Sequence, residues 1–358
     1  MALVLVLALA LWGLGALMGT PRRMRWTMIG ILWLGVIVIH LTLPAGAPLR
    51  LATGESAAPW LLLAGFVALI LTYRKLLSRL RARVDGPAAP DGAAPGPTGP
   101  FSETELDRYA RHIVLREVGG TGQRKLRAAR VLVISAGGLG SPALLYLAAA
   151  GVGTIGVIDD DTVDNSNLQR QVIHTDDRIG MPKVFSAEAA MRAQNPFVAV
   201  RPYNRRLTAD IAADLFADYD LILDGTDDSA TRYLVNDTAI ALGKPLISGA
   251  LSQWEGQIAL FDPARGGPCY QCIFPSAAAP GLAPSCAEAG VIGPLPGVIG
   301  AMMALEAIKL ITGAGQDLRG RMLIHDALYA EHRMIRTKPR DDCPACAATR
   351  MTKDMTDD

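Results

Sequence analysis

The stretch Val131-Leu-Val-Ile-Ser-Ala-Gly-Gly-Leu-Gly140 sets the architecture of most of this chain. Its first four residues, Val131–Ile134, are aliphatic and predict a short buried strand. The glycine-rich segment Ser135–Gly140 follows, and Pro142–Ala150 then predicts a helix. This order approximates the dinucleotide fingerprint, although a serine stands at its first glycine position. The stretch therefore predicts a nucleotide site at the start of an α/β domain.

Downstream segments continue this alternation of strands and helices. Short apolar runs predict further strands at Ile155–Ile158, Leu221–Leu223, Leu246–Ile247 and Ile258–Phe261. Longer segments predict helices at Lys183–Gln194, Ser229–Leu242 and Gly300–Thr312. The alternation predicts an α/β fold with a Rossmann-like, doubly wound sheet, parallel with an antiparallel extension. Ligands of such sheets bind beyond the carboxyl ends of the strands, so we expect the functional site there.

Charged and polar residues follow these predicted strands. Asp159 lies 19 residues after Gly140, near the distance at which an acidic residue holds a ribose. The polar segment Asn165–Gln171, together with Lys183 and Arg111, adds amides and cations. A triphosphate needs several cations and Mg²⁺, whereas a dinucleotide pyrophosphate is satisfied by a helix N-terminus. The cations therefore favour ATP, and a membrane-anchored NAD-dependent oxidoreductase is the alternative.

Two cysteine pairs indicate a metal site. Cys269-Tyr-Gln-Cys272 and Cys343-Pro-Ala-Cys346 supply the four thiolates of a tetrahedral structural Zn²⁺ site, and a redox C-x-x-C is the alternative. Four thiolates leave no open coordination position, so we expect the zinc to tie the C-terminal segment to the body. The chain has five cysteines, an odd count that does not suggest the disulfide framework of a secreted protein.

The N-terminal 84 residues differ in composition from the rest of the chain. They carry nine Lys/Arg and one acid, whereas the remainder has a net charge of −7. Three uncharged runs of 17–18 residues follow one another: Ala2–Gly19, Trp26–Leu43 and Ala57–Tyr73. Each is long enough for a hydrocarbon core of about 30 Å, although a signal peptide is the alternative for the first. We therefore expect residues 1–84 to cross the lipid bilayer of the inner (cell) membrane three times.

The arginines around these runs predict their orientation. Bases follow the first and third runs, and the positive-inside rule then places everything after residue 74 in the cytoplasm. Residues 85–100, DGPAAPDGAAPGPTGP, predict an extended linker without a fold. The catalytic domain is then expected over residues 101–346, followed by a flexible tail over 347–358. The acidic body argues against nucleic acid as a partner, because phosphate neutralisation needs clustered bases.

The motifs of residues 101–346 resemble the MoeB/ThiF/HesA family, which adenylates ubiquitin-like sulfur carriers. In chain order, these motifs are Tyr109–Arg111, Gly137–Gly140, Asp159/Asp161, Asn167–Gln171, Lys183, Leu223–Asp227, Glu255–Gln257 and Ala287–Pro294. The resemblance implies adenylation by ATP of the C-terminal Gly-Gly carboxylate of a carrier, with release of pyrophosphate. A MoaD-like carrier of molybdenum cofactor (molybdopterin) synthesis is expected, and a ThiS-like carrier of thiamine thiazole synthesis is the alternative.

The resemblance also assigns roles within the nucleotide site. Gly138 would approach the phosphates, Asp159 would hold the ribose hydroxyls, and Asp227 would position Mg²⁺ and the attacking carboxylate. The residues expected to hold ATP and Mg²⁺ are Gly138, Asp159, Asp161, Asn167, Arg170, Gln171, Lys183, Asp227 and Asp228. Of these, Asp227 and Arg170 are also expected to act in catalysis. Ser135 and Asp228 depart from the glycine and asparagine usual in the family.

Two more catalytic candidates come from the same resemblance. Arg111 would reach the triphosphate of a neighbouring protomer, which implies a homodimer. Cys286 lies in the motif P-S-C-A-E-A-G and is either a thiol that forms a covalent intermediate or a buried bystander. Since no rhodanese-like segment follows Cys346, we expect a separate sulfurtransferase to supply the sulfur.

Overall fold

The computed structural model describes residues 2–18, 20, 22–44, 46–54, 56, 58–63, 65–67, 69–70, 72–73, 99–277 and 289–348. The chain divides into two compact units, Met1–Gly92 and Ala93–Asp358. The basic segment after the third apolar run, most of the linker, Cys286 and residues 349–358 of the predicted tail lie outside the described residues. The expectations for these segments stay predictions.

The smaller unit consists of helices in its described part. They are α1 (Ala2–Leu17), α2 (Arg22–Thr42) and α3 (Pro48–Thr53), and residues 58–63 and 65–67 are also helical. Helices α1 and α2 coincide with the first two apolar runs, whereas the third run includes positions outside the described residues. Val4, Val36 and Trp60 form a small buried cluster. Most other large apolar side chains of α1 and α2 are exposed, Leu9 to 72%.

Two described helices are long and apolar enough to cross a membrane. Met24–Thr42, in the smaller unit, is 11% buried, whereas Pro294–Thr312, in the larger unit, is 50% buried and belongs to its core. The multi-pass anchor therefore stays a prediction.

An eight-stranded sheet forms the frame of the larger unit. Its strands are β1 (Arg130–Ile134), β2 (Thr154–Ile158), β3 (Ala199–Tyr203), β4 (Leu221–Asp224), β5 (Leu246–Leu251), β6 (Glu255–Phe261), β7 (Arg321–Asp326) and β8 (Glu331–Arg336). Their spatial order is β3-β2-β1-β4-β5-β6-β7-β8. Strands β1 to β5 are parallel, and β6 to β8 continue the sheet in antiparallel fashion. The predicted α/β sheet with an antiparallel extension is confirmed.

Helices cover both faces of this sheet. They are α4 (Glu103–Ile113), α5 (Gly119–Ala128), α6 (Gly140–Ala150), α7 (Lys183–Gln194), α8 (Ala209–Ala217), α9 (Ser229–Ala241), α10 (Tyr270–Ile273) and α11 (Pro294–Thr312). Val131 and Val133 of β1 join the core formed with α6, α7 and α11. Leu132 and Ile134 join a second core formed with α8 and α9. Because β1 is buried on both faces, it reads in the sequence as a continuous apolar run.

Three strands are absent from the sequence prediction. Strand β3 contains Pro202, which a ladder tolerates here because β3 lies at the edge of the sheet. Strands β7 and β8 pair with one another, and every residue of β8 is exposed. A strand without a buried face has no apolar alternation by which a sequence could reveal it.

Candidate active site

One cavity of about 460 Å³ lies beyond the carboxyl ends of the parallel strands. The glycine turn after β1, the loop after β4 and the end of β5 contribute to its wall. It brings together seven of the nine predicted nucleotide-binding residues, namely Gly138, Asp161, Asn167, Arg170, Gln171, Lys183 and Asp227. The structure therefore brings these seven residues together beyond the carboxyl ends of the parallel strands, and their roles stay predictions.

The turn between β1 and α6 is built for close backbone approach. Ser135, at the position of the missing glycine, has φ = 79°, a left-handed conformation that costs a non-glycine residue roughly 1–2 kcal/mol. Its hydroxyl accepts a hydrogen bond from the Gly137 amide at 3.1 Å. A Cβ on Gly140 would lie 1.9 Å from the Ser135 carbonyl oxygen, so only glycine fits there. The turn therefore leads its backbone amides and the N-terminus of α6 toward the cavity, where a phosphate would bind.

Asp159 braces this turn from the end of β2. Its carboxylate accepts hydrogen bonds from the Ala136 amide at 2.8 Å and from the Asp161 amide at 2.9 Å. The hydroxyl of Ser135 donates to the same carboxylate at 3.3 Å. Asp159 does not belong to the cavity wall in this structure, and its predicted contact with a ribose stays a prediction.

His174 supports the same turn from inside the protein. Its Nε2 donates to the Ala136 carbonyl at 3.0 Å, so Nδ1 is the acceptor for the Ser186 hydroxyl at 2.9 Å. Burial lowers the pKa of His174 below its usual value, which keeps the ring neutral. No pattern in the sequence connects this histidine with the glycine turn.

Two cations and an amide face the centre of the cavity. Lys183, at the first residue of α7, is buried and donates to the Asp161 carboxylate at 2.7 Å. Arg170 donates to the Ser166 carbonyl at 3.0 Å. Gln171 is buried, and its Oε1 has no hydrogen-bond donor within the described part of the chain. These groups offer positive charge and unused hydrogen-bonding capacity to a polyanion.

The loop after β4 brings Asp227 to the cavity. Asp224, the last residue of β4, accepts hydrogen bonds from the amide of Thr226 at 3.0 Å and from its hydroxyl at 2.6 Å. These two bonds hold the residue immediately before Asp227, which lies in the cavity wall. The position suits a carboxylate that holds a cation against a bound phosphate.

Asp228 lies outside the cavity wall and begins helix α9. Its carboxylate accepts from the Thr231 amide at 2.9 Å and from the Thr231 hydroxyl at 2.6 Å, and this hydroxyl contact lowers the pKa of Asp228 most. The Arg206 guanidinium lies 3.9 Å away. The added charge of this departure from the family pattern is therefore used as a helix cap. A contact of Asp228 with the nucleotide stays a prediction.

Arg111, a further catalytic candidate, is not in the cavity wall. Arg111 is exposed in the last turn of α4, and Cys286 lies outside the described residues. Four residues that the sequence did not single out do line the cavity: Arg232, Tyr233, Tyr270 and Phe274. They come from α9, α10 and the residue that follows α10, so only the fold brings them together.

The four cysteines of the two C-x-x-C pairs meet in one buried cluster. The sulfur of Cys269 lies 3.7 Å from that of Cys272 and 3.6 Å from that of Cys343, and the Cys272 and Cys346 sulfurs are 3.5 Å apart. Zn–S bonds of about 2.3 Å place tetrahedral sulfurs about 3.8 Å from each other. Burial raises the pKa of the Cys346 thiol to about 12, so a bound cation would favour the thiolate form of this residue. The donor set therefore fits zinc.

Comparison with known proteins identifies the larger unit. Residues 109–345 match the model of the ThiF family. The sulfur carrier protein adenylyltransferase of Thermus thermophilus is 46% identical over 261 residues, which cover 72% of this chain and 96% of that protein. The probable adenylyltransferase/sulfurtransferase MoeZ of Mycobacterium tuberculosis is 50% identical over 251 residues, covering 69% of this chain and 64% of MoeZ.

Solved structures share the fold. The crystal structure of MccB from E. coli superposes with a TM-score of 0.58 at 22% identity, covering 67% of this chain and 72% of MccB. PaaA gives a TM-score of 0.58 at 21% identity, covering 74% of this chain and 81% of PaaA.

The predicted family and enzyme class are confirmed, and the nicotinamide-dependent alternative loses its support. The chain belongs to the ThiF family and is an adenylyltransferase.

Proposed function

We propose that the larger unit transfers the adenylyl group of ATP to the C-terminal carboxylate of a ubiquitin-like sulfur-carrier protein. The observation that carries this proposal is the cavity in which the glycine turn, Arg170, Lys183 and Asp227 converge. The relative from Thermus thermophilus, a sulfur carrier protein adenylyltransferase, supports this kind of substrate. A Gly-Gly carrier of the MoaD type, for molybdenum cofactor synthesis, is the proposed partner, and a ThiS-type carrier is the second candidate.

The chemistry needs little beyond positioning and charge stabilisation. An oxygen of the carrier carboxylate attacks the α-phosphorus of ATP. The bond between this phosphorus and the oxygen that bridges the α- and β-phosphates breaks, and its electron pair leaves with pyrophosphate. A terminal carboxylate has a pKa of about 3.3–3.7, so it is already ionised and no general base is required. The backbone amides of the glycine turn would hold the phosphates, while Lys183 and Arg170 would stabilise the charge that develops on them.

The residues present also fit the predicted ions. Asp227 offers a carboxylate oxygen in the cavity wall. Mg²⁺ is usually bound by one or two carboxylates together with the phosphate oxygens of a substrate. Mg²⁺ bound there would neutralise part of the triphosphate charge. Cys269, Cys272, Cys343 and Cys346 would hold a Zn²⁺ whose role is to fasten the C-terminal segment to α10.

Further parts of the proposal concern assembly and sulfur transfer. Arg111 is exposed and outside its own cavity, so it is free to serve the site of a second protomer in a homodimer. A separate sulfurtransferase is the proposed source of the sulfur; the relative MoeZ of Mycobacterium tuberculosis, of which the match covers 64%, is named a probable adenylyltransferase/sulfurtransferase. Cys286 would act as a covalent carrier of the activated acyl group or remain a bystander.

The smaller unit is proposed to anchor the enzyme in the inner membrane, with the larger unit in the cytoplasm. The helix Met24–Thr42 has the required length and hydropathy, and large apolar side chains such as Leu9 and Leu34 are exposed on α1 and α2. Exposed apolar surface of this extent is unfavourable in water and favourable against lipid.

Carrier-dependent exchange of labelled pyrophosphate into ATP tests this function. The full-length chain in detergent is mixed with purified MoaD-type and ThiS-type carriers in separate reactions. We expect exchange with one carrier well above the other, and none with a carrier whose last glycine is deleted. Exchange that proceeds equally without a carrier would contradict the proposal.

A further inference from the structure

Arg232 lies in the cavity wall but directs its guanidinium into the protein. It belongs to the first turn of α9 and is 7% exposed. Its Nη1 donates to the Ser248 hydroxyl at 2.9 Å and to the Asp224 carboxylate at 3.3 Å. Its Nη2 donates to the Gly249 carbonyl at 2.8 Å and also to the Thr226 carbonyl. Four internal acceptors therefore occupy the two terminal nitrogens, which distinguishes Arg232 from the substrate-facing Arg170.

These contacts join three segments at the carboxyl ends of strands β4 and β5. Asp224 ends β4, Ser248 and Gly249 belong to β5, and Thr226 is the residue before Asp227. The Ser248 hydroxyl also donates to the Asp224 carboxylate at 3.2 Å, which closes the network. The loop that carries Asp227 is thus fastened to β5 through one planar guanidinium. Lysine could keep the charge but not the forked geometry.

The same contacts pair the negative charge of the buried Asp224 carboxylate, which lies near the proposed phosphate site. Asp224 is 1% exposed, and its carboxylate faces Arg232, Ser248 and Thr226. Without Arg232, a buried negative charge would remain unpaired close to the place where a triphosphate would bind. The ion pair Asp224–Arg232 therefore holds the loop and leaves the buried Asp224 carboxylate paired.

We propose that Arg232 is a positioning residue for adenylation, one that holds Asp227 in place without touching either substrate. This inference rests on the proposed function, because it assigns Asp227 to Mg²⁺ and carboxylate placement. A misplacement of about 1 Å in such a group is enough to slow a reaction by about 10²-fold.

The test compares Arg232→Lys with Arg319→Lys in the full-length protein. Arg319 pairs with the fully buried Asp262 at 3.0 Å. Asp262 follows the end of β6, which pairs with the start of β5 and therefore lies at the amino ends of the parallel strands, away from the cavity. This control matches the chemistry of the change but lies outside the cavity wall. For Arg232→Lys we expect kcat to fall about 10- to 100-fold. At saturating Mg²⁺ the KM for ATP should stay within about threefold, because the glycine turn, Arg170 and Lys183 are intact.

Two further readouts separate positioning from general destabilisation. The Mg²⁺ concentration for half-maximal rate should rise for Arg232→Lys and not for Arg319→Lys. Hydrogen exchange of the peptide containing residues 225–228 should accelerate in the first variant only. Should Arg232→Lys fail to fold, Ser248→Ala removes one member of the network, and we expect a several-fold loss of kcat with the same exchange signature.

The outcomes distinguish this inference from the proposed function. Hydrogen exchange and kcat of Arg232→Lys that equal those of Arg319→Lys would overturn the positioning role, and so would a loss confined to KM. If the wild-type chain adenylates no carrier while residues 225–228 still loosen in Arg232→Lys, Arg232 holds the loop and the proposed function fails.

Discussion

At the level of single residues, the glycine turn shows how backbone geometry prepares the nucleotide site. Ser135 adopts a left-handed conformation and is held by Gly137 and Asp159. The departure from the usual glycine is thus accommodated by hydrogen bonds of the serine side chain itself. The sequence could locate this turn, because glycine spacing after an apolar run is a local signal. It could not reveal Arg232 or His174, because their partners belong to other strands, turns and helices that only the fold brings together.

Gly140→Ala tests the packing of this turn. The added Cβ would lie 1.9 Å from the Ser135 carbonyl oxygen, so the backbone must move. We expect this variant to lose ATP binding, measured by calorimetry, and to unfold at lower temperature. Gly120→Ala is the control, because a Cβ at Gly120 has no atom within 4 Å and lies in helix α5. Unchanged ATP affinity in Gly140→Ala would show that the turn does not bind phosphate.

The buried His174 should make the free energy of unfolding depend on pH. Burial lowers its pKa in the folded state, so below about pH 6.5 the unfolded chain binds a proton that the folded chain does not. The stability from neutral His174 is present above the unfolded pKa and is lost as the pH falls toward the folded pKa. We expect the free energy of unfolding to fall more steeply between pH 7 and pH 5.5 in the wild type than in His174→Gln. Denaturant titrations measure both slopes, and equal slopes would contradict this role.

At the level of elements, sequence prediction found the inner strands β1, β2, β4, β5 and β6 and missed β3, β7 and β8, which lie toward the two sides of the sheet. Strands β1 and β2 are buried and read as apolar runs. Strands β3 and β8 lie at the two edges, where a proline and a row of exposed side chains are tolerated. Helix α11 begins at Pro294, six residues before the predicted start at Gly300, because proline is favoured in a first helical turn.

The cysteine cluster links the C-terminal segment to helix α10, and its removal should loosen this connection. We expect Cys343→Ser or a strong chelator to lower the melting temperature and to speed hydrogen exchange around residues 340–348. The affinity for ATP should change little, because none of the four cysteines lies in the cavity wall. Metal analysis of fresh protein should give about one zinc per chain. A value well below one would contradict the zinc assignment.

At the level of the whole molecule, the proposed homodimer makes each site dependent on two chains. Arg111→Ala should slow adenylation by about 10²- to 10³-fold, as for the loss of one preorganised charge. Asp227→Ala should inactivate its own site separately. After subunit exchange, mixed dimers hold one site with both residues intact, so activity should return to about a quarter of wild type. If labelled subunits exchange and no activity returns, Arg111 does not act across the interface.

The intact mass of a purified Gly-Gly carrier tests the central claim most directly. The carrier is incubated with the full-length chain, ATP and Mg²⁺, and the mass spectrum is recorded before the adenylate hydrolyses. We predict that the carrier gains the mass of one adenylyl group, and that Asp227→Ala abolishes this gain while the protein remains folded. A carrier of unchanged mass, under conditions in which the chain binds ATP, would contradict adenylation at this cavity.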